Sequence, residues 1–509
     1  MSKNWRYWNQ ASKAISSAHS RSKQAAKTIL CCISSRGCNN IIDGNIDGDN
    51  EHLNKNLKIL KLPVHFLKNS DEDMYDPSTG QRNDVNFDAS NGKPIKSLRD
   101  RSSSSKTIKN ISFDENKDEY TIEWENIHKS TFSAKWIDTQ LQRRQHQLKD
   151  ISNVIPRLPW TNLTEEELRS PSQYQKLRFS FNDLVTDDID QIERAVTSLY
   201  QYGILFITST PINDNGAGVA AIASALSGPQ KKLSKESTFL RHYLHCIQEK
   251  KHPSAVLEHS TDGPLRTMFG NVWFTNSSSM SDGVSVADSS YSNGALPLHT
   301  DFTYYRDPPG LQIFTMVSPA NDGGESIYAD GLAIAEYMRS HHSKEFDTLC
   351  RIRRRYRSID NVNGWFLEGR GTVFEAIDEL DGISSNQSFG SRWGPVISIR
   401  HNDLDRLPDL PPQIHGLNSN EQKESDKKFY EELERAHKVL DSLLARDEFR
   451  LTIKLNPGET VAVVNNRCLH GRYSFKTSEC PRSIMGCYVG QDDLESRFRW
   501  MMQGDCTFQ

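Results

Sequence analysis

The stretch Pro457-Gly458-Glu459-Thr460-Val461-Ala462-Val463-Val464-Asn465-Asn466-Arg467-Cys468-Leu469-His470-Gly471-Arg472 reads as one structural unit. A Pro-Gly turn breaks the chain. Val461 to Val464 then form an apolar run bounded by polar residues and too short for a helix, the pattern of a buried strand. The strand ends in a polar turn and presents His470. Similar strand-sized runs are Gly203 to Ile207, Gln312 to Val317, Leu451 to Leu455 and Ile484 to Val489, while Tyr120 to Trp124 alternates as a half-buried strand does. Helices are predicted over 187–202, 331–340 and 420–446; in the last, Phe429, Leu433, Ala436, Leu440 and Leu443 recur at helical spacing with charges between them. After Ile207 more strands and turns are expected. Strands split by one long helical insertion predict a mainly β core with helices on its outside.

The chain has 509 residues, too many for one ordinary core. Three regions are expected: an N-terminal extension over 1–56, a small β-rich domain over 57–140 and a larger domain over 160–509. The first 42 residues hold seven Lys or Arg and no Asp or Glu. That composition suits a mitochondrial transit peptide and a disordered basic tail equally; without a transit peptide the cytoplasm is the default. The net charge of −4 gives no general attraction to nucleic acid. The basic run Arg351 to Arg357 alternates like a strand and is read as a solvated face. No apolar stretch approaches the roughly 20 residues of a membrane span. Nine cysteines, an odd number in a long chain, predict no disulfide framework. Cys31, Cys32 and Cys38 lack a second ligand pair nearby for zinc.

Chemistry enters at Leu296-Pro297-Leu298-His299-Thr300-Asp301. On an extended segment a His-x-Asp pair points both side chains to one face. With one distant histidine, such a pair makes a facial triad that leaves coordination positions open, the arrangement of non-haem Fe(II) oxygen chemistry. The pattern alone is weak, because His401-Asn402-Asp403 repeats it. The first copy is preferred: apolar residues precede it, Phe302, Tyr304 and Tyr305 follow, and Pro308-Pro309-Gly310 leads into a clean strand. The second copy lies among charges and is read as solvated. His470 is the candidate third ligand; the alternative for it, taken alone, is a hydrogen-bonded turn histidine. Arg482, at the inner end of the strand face that carries Ile484, Gly486 and Tyr488, can pair bidentately with a carboxylate.

These motifs, with Pro308-Pro309-Gly310-Leu311-Gln312, Gly323-Gly324-Glu325-Ser326, Asp330-Gly331 and Asn466-Arg467, occur in an order that resembles the γ-butyrobetaine and trimethyllysine dioxygenase family, a branch of the taurine-dioxygenase-like oxygenases. The resemblance implies a double-stranded β-helix (jelly-roll) catalytic domain over 160–509. It implies Fe(II) at His299, Asp301 and His470, and 2-oxoglutarate at Arg482, with Leu296 lining the cosubstrate pocket. It further implies O2 as co-substrate and an aromatic cage of Phe269, Trp273, Tyr291 and Tyr488 for a trimethylammonium group, which cannot donate hydrogen bonds and is bound by ring faces. Each aromatic taken alone is as readily core packing.

The implied reaction is hydroxylation of γ-butyrobetaine to carnitine, with trimethyllysine second and another small acid, as in taurine-type enzymes, third. A degenerate scaffold or metabolite sensor is the non-enzymatic alternative, and a homodimer is among the expected assemblies. Two departures stand out. The family's small domain carries a zinc on three Cys and one His, whereas Phe66 to Arg82 has no cysteine, so that zinc is expected to be missing. Ser318 stands near where some members place a lysine, which bears on how the substrate's carboxylate is recognised.

Overall fold

The computed structural model describes residues 58–62, 64–71, 108–125, 128–145, 155–170, 175–186, 188–228, 238–251, 262–276, 292–361, 363–378, 393–476 and 482–503. The N-terminal extension, with its transit-peptide reading and Cys31, Cys32 and Cys38, lies outside them, as do residues 72–82 of the segment compared with the zinc domain. The chain divides into two compact units at Lys149/Asp150.

In the first unit, helix α1 (Val64–Asn69) precedes a three-stranded antiparallel sheet, β1 (Ile108–Asp114), β2 (Glu119–Trp124) and β3 (Lys129–Ser133), followed by α2 (Ala134–Gln145). Alternation in β2 buries Tyr120, Ile122 and Trp124. Buried Asp71, just past α1, accepts hydrogen bonds from Ser130 and from His128 Nε2 (2.6 Å), and Trp124 Nε1 donates to Ser130 Oγ (2.6 Å). A carboxylate network thus ties helix end to sheet.

The second unit is ordered as β4 (Arg178–Ser180), α3 (Ile189–Tyr202), β5 (Ile204–Thr208), α4 (Ala217–Ser227), α5 (Phe239–Gln248), β6 (Trp273–Asn276), β7 (Leu296–His299), β8 (Leu311–Ser318), β9 (Ser326–Asp330), α6 (Gly331–His341), α7 (Ser343–Arg351), β10 (Arg354–Asp360), β11 (Trp365–Gly371), β12 (Phe374–Asp378), β13 (Trp393–Ile399), α8 (Ser419–Leu444), β14 (Leu451–Ile453), β15 (Thr460–Val464), β16 (Cys468–Arg472), β17 (Ser483–Val489) and α9 (Gln491–Gln503). A six-stranded sheet has the order β4-β5-β15-β8-β17-β6, and a four-stranded sheet the order β14-β9-β16-β7. Only β4–β5 is parallel among these pairs; the rest are antiparallel, which makes the double-stranded β-helix expected from the sequence.

The caps explain the helix bounds. Asp188 accepts from Asp190 N–H at the start of α3, and Gly203 (φ +74°) closes it by donating to Leu199 O. Asn418 and Glu421 form a capping box on α8. On its inward stripe Leu433 is buried, and Ala436, Leu440 and Leu443 pack with Leu349, Phe374 and Val396. Two expectations are corrected. Residues after Ile207 are not strands: α4 is buried on every side, so its Ala-rich sequence has no polar face to mark a period. The Arg351–Arg357 run is a strand in its second half, but not a purely solvated one. Arg354 is buried and pairs with Asp409 (2.5 Å), while Arg355 and Arg357 share Glu368.

Behind the sheets, Arg467 is 4% exposed in its side chain. It holds Asp330 through two nitrogens (2.8 and 3.1 Å) and donates to the carbonyls of Leu158, Tyr200 and Gln201. Because removal leaves a buried carboxylate unpaired, Arg467→Ala is expected to lower unfolding free energy by about 3–5 kcal/mol, measured by denaturant titration; a change within experimental error would show the pair to be dispensable.

Candidate metal centre

The centre forms where β7 and β16 of the smaller sheet face β8 and β17 of the larger. The β7–β16 register sets His299 directly opposite His470. Their rings stand 4.5 Å apart, centre to centre. Asp301 follows on the turn after β7, and its Oδ1 lies 3.3 Å from His299 Nε2 and 3.4 Å from His470 Nε2. His299 Nδ1 donates to Pro297 O (2.7 Å), which turns Nε2 toward Asp301. All three predicted ligands are thus brought to one point.

The turn is held by residues the sequence reading did not single out. Fully buried Asn465, at the end of β15, accepts from Asp301 N–H (2.7 Å) and donates to Asp301 O and Pro309 O (3.0 Å each). It supports Phe302 at φ +55°, an uncommon conformation for an aromatic residue. On the other carboxylate oxygen, Asp301 Oδ2 accepts from Tyr488 O–H (2.8 Å) and from Gln312 Nε2, which also reaches Tyr488 Oη at 3.5 Å. One oxygen is fixed by the protein and the other is presented toward the imidazoles. A polar Gln312 inside the apolar strand β8 was the available signal.

Electrostatics follow from burial. Desolvation opposes charge on Asp301, yet the facing His470 and His299 outweigh it and hold the carboxyl well below its ordinary range. Burial likewise works against a charged His299, but the bond to Asp301 prevails and raises its pKa; His470 is lowered, chiefly by burial. Tyr488 is driven well above the usual tyrosine value by burial and by Asp301, so its hydroxyl stays a donor.

Arg482 is 5% exposed, and among the described residues its Nε has no hydrogen-bond partner. Burial pushes its pKa down to about 10. Phe475 lies 5.8 Å from the guanidinium, and Gly324 packs against its stem. A buried guanidinium with an open donor is a place for an anion. Leu296 is half-buried, opposite Arg472 in the β7–β16 ladder.

Of the predicted aromatics, Phe269, Trp273 and Tyr488 fall in one cluster. Tyr488 lies 5.9 Å from Trp273 and 4.7 Å from Phe302, and Phe302 lies 5.9 Å from Phe269. Phe302 therefore joins them, although sequence reading used it only as a marker. Tyr291 lies outside the described residues. The second His-x-Asp copy needs correction: His401 is 4% exposed, not solvated. Its backbone carbonyl accepts from Thr300 N–H (2.7 Å), the residue between His299 and Asp301.

The sequence pattern described as "Taurine catabolism dioxygenase TauD, TfdA family" matches residues 166–488, well over half of the chain. Mitochondrial trimethyllysine dioxygenase of Rattus norvegicus is 27% identical over 230 residues, 45% of this chain and 47% of the relative. That of Mus musculus is 22% identical over 373 residues, 73% of this chain and 69% of the relative. γ-Butyrobetaine dioxygenase of Homo sapiens is 24% identical over 400 residues, 78% of this chain and 82% of the relative. Against the rat and cattle trimethyllysine dioxygenases the chain spans about half of their length.

Gln312→Leu removes the amide from Asp301 Oδ2 while keeping the side-chain bulk. It is expected to weaken divalent-metal affinity at the triad roughly 10- to 100-fold, measured by anaerobic Fe(II) titration; unchanged affinity would show that the amide does not orient the carboxylate.

Proposed function

Since the chain belongs to the taurine catabolism dioxygenase TauD, TfdA family, we propose that it is an Fe(II)- and 2-oxoglutarate-dependent dioxygenase that hydroxylates γ-butyrobetaine to carnitine. The observation that carries this reading is the convergence of His299, Asp301 and His470 beside a buried Arg482 with an open donor and a wall of aromatic rings.

The donor set fits a ferrous ion. Two imidazole nitrogens and one carboxylate oxygen would hold the ion, a donor set that leaves coordination positions for exchangeable ligands. Bound there, the iron supplies the coupling of O2 reduction to decarboxylation of 2-oxoglutarate and to breakage of a C–H bond. The chain supplies the rest. The Pro297 carbonyl fixes the His299 tautomer, and Tyr488 and Gln312 engage Asp301 Oδ2 so that Oδ1 faces the ion. Arg482 binds the distal carboxylate of 2-oxoglutarate, which gives its buried charge a partner. Phe269, Trp273, Phe302 and Tyr488 receive the trimethylammonium group on their faces and keep water out.

Trimethyllysine is the second reading, favoured by the relatives that bear that name. The two substrates share the cationic end and differ at the other. A taurine-like sulfonate suits the aromatic wall poorly, because an anion calls for basic partners. A scaffold or sensor role has no use for a complete triad and an open buried guanidinium. The mitochondrion is the proposed location, on the printed names of the relatives.

Purified protein loaded anaerobically with Fe(II) is mixed with O2 and 2-oxoglutarate, and succinate is measured with γ-butyrobetaine, trimethyllysine or taurine. γ-Butyrobetaine is expected to stimulate succinate most strongly, and Asp301→Ala to abolish it. Stimulation by none of the three would end the carnitine reading. Trp273→Ala is expected to raise KM for the quaternary-ammonium substrate roughly 30-fold, the equivalent of about 2 kcal/mol for a desolvated cation–ring contact, with KM for 2-oxoglutarate unmoved.

A further inference from the structure

Two buried imidazoles beside the iron triad take no part in it. His401, just past β13, is 4% exposed, and among the described residues no hydrogen bond reaches its ring. His437, on α8, is 8% exposed, and its Nε2 is buried without a partner among the described residues. The rings lie 6.2 Å apart at 25°. Each histidine has a carboxylate on its own side: Asp403 follows His401 by two residues, and Asp441 follows His437 by one helical turn, on the same face of α8. Donor atoms of His401, Asp403 and Asp441 all lie within 4.8 Å of one another.

A buried imidazole nitrogen without a bond costs about 1–3 kcal/mol, so His437 Nε2, beside the His401 ring, calls for a partner. Water could serve it, but the His401 nitrogen lies within 4.8 Å of two carboxylate oxygens, a set that matches a cation better. Burial, together with the nearby Arg354 and Arg406, keeps both rings neutral, which is the ligating form. The arginines are themselves engaged. Arg354 pairs with Asp409, and Arg406 Nε holds Asp403 Oδ1 at 3.0 Å, leaving Oδ2 for an ion. Two imidazoles roughly 2 Å from a common ion would place their ring centres about 5–6 Å apart, close to the separation seen. The two carboxylates are exposed, which gives the ion a way in.

We propose that His401, Asp403 and Asp441 form a second divalent-metal site, with the neighbouring His437 completing the two-nitrogen, two-oxygen donor set that suits zinc. The site is coupled to the triad through the chain: the His401 carbonyl accepts from Thr300 N–H, and His401 N–H donates to Thr300 Oγ1 (3.1 Å), between the two ligands His299 and Asp301. An ion held by β13 and α8 would brace that segment from behind.

The test uses the full chain carrying His299→Ala with Asp301→Ala, which removes the first site. After chelation it is titrated with Co(II) as a spectroscopic stand-in for zinc, and metal is counted after dialysis. One Co(II) per chain is expected, with d–d absorption and no thiolate charge-transfer band. Adding Asp441→Asn, on an exposed carboxylate that does not threaten folding, should weaken Co(II) binding at least 10-fold, and His437→Gln should do the same. Absence of bound Co(II), thiolate charge transfer that moves the ion to cysteines, or affinity unchanged in both added variants would each overturn the proposal. None of these readouts depends on catalysis, so the dioxygenase reading stands or falls separately.

Discussion

Asn465 sits fully buried at the end of β15 and takes hold of Asp301 by both backbone groups, N–H and C=O, while its amide also reaches Pro309 O. Through this clamp a buried strand of the larger sheet dictates where a carboxylate on the turn after the smaller sheet's edge strand must stand. The conformation of Phe302 and the register that sets His470 opposite His299 are set around the same turn. Without it, the triad would be three side chains on two separate ladders with nothing to make them meet.

The remaining polar groups at the centre divide into satisfied and unsatisfied ones, and the division marks function. Asp301 Oδ2 is saturated by Tyr488 and Gln312, whereas Oδ1 faces the imidazoles. Arg467 is saturated by Asp330 and three carbonyls and is structural. Arg482, buried to a similar degree, keeps an open Nε. Burying a guanidinium with an unmet donor is costly, and that contrast sets the saturated Arg467 apart from Arg482, the residue proposed to hold 2-oxoglutarate.

Much of this was legible in the sequence. Apolar runs closed by polar turns located the strands, and a stripe at helical spacing located α8 within two residues at each end. His299, Asp301, His470 and Arg482 stood out because their motifs are local. Gln312 and Asn465 did not, since they act on Asp301 from 11 and 164 residues away, and long-range pairing leaves no spacing to read. His401 misled for the converse reason. Its neighbours in sequence are charged, but Arg400 turns to the carbonyls of Thr303, Tyr305 and Arg306, and the histidine itself is covered. Helix α4 was missed because a segment buried all round carries no amphipathic signal.

The central claim is that three side chains on one side of a ferrous ion leave the opposite side for a 2-oxoglutarate that Arg482 holds. It is tested most directly by adding 2-oxoglutarate to the Fe(II) protein under nitrogen and recording the visible spectrum. The account predicts a metal-to-ligand charge-transfer band, present in the natural protein, requiring a higher 2-oxoglutarate concentration in Arg482→Gln and absent in Asp301→Ala. An unchanged band in Asp301→Ala, or no band from an Fe(II)-loaded natural protein, would contradict it.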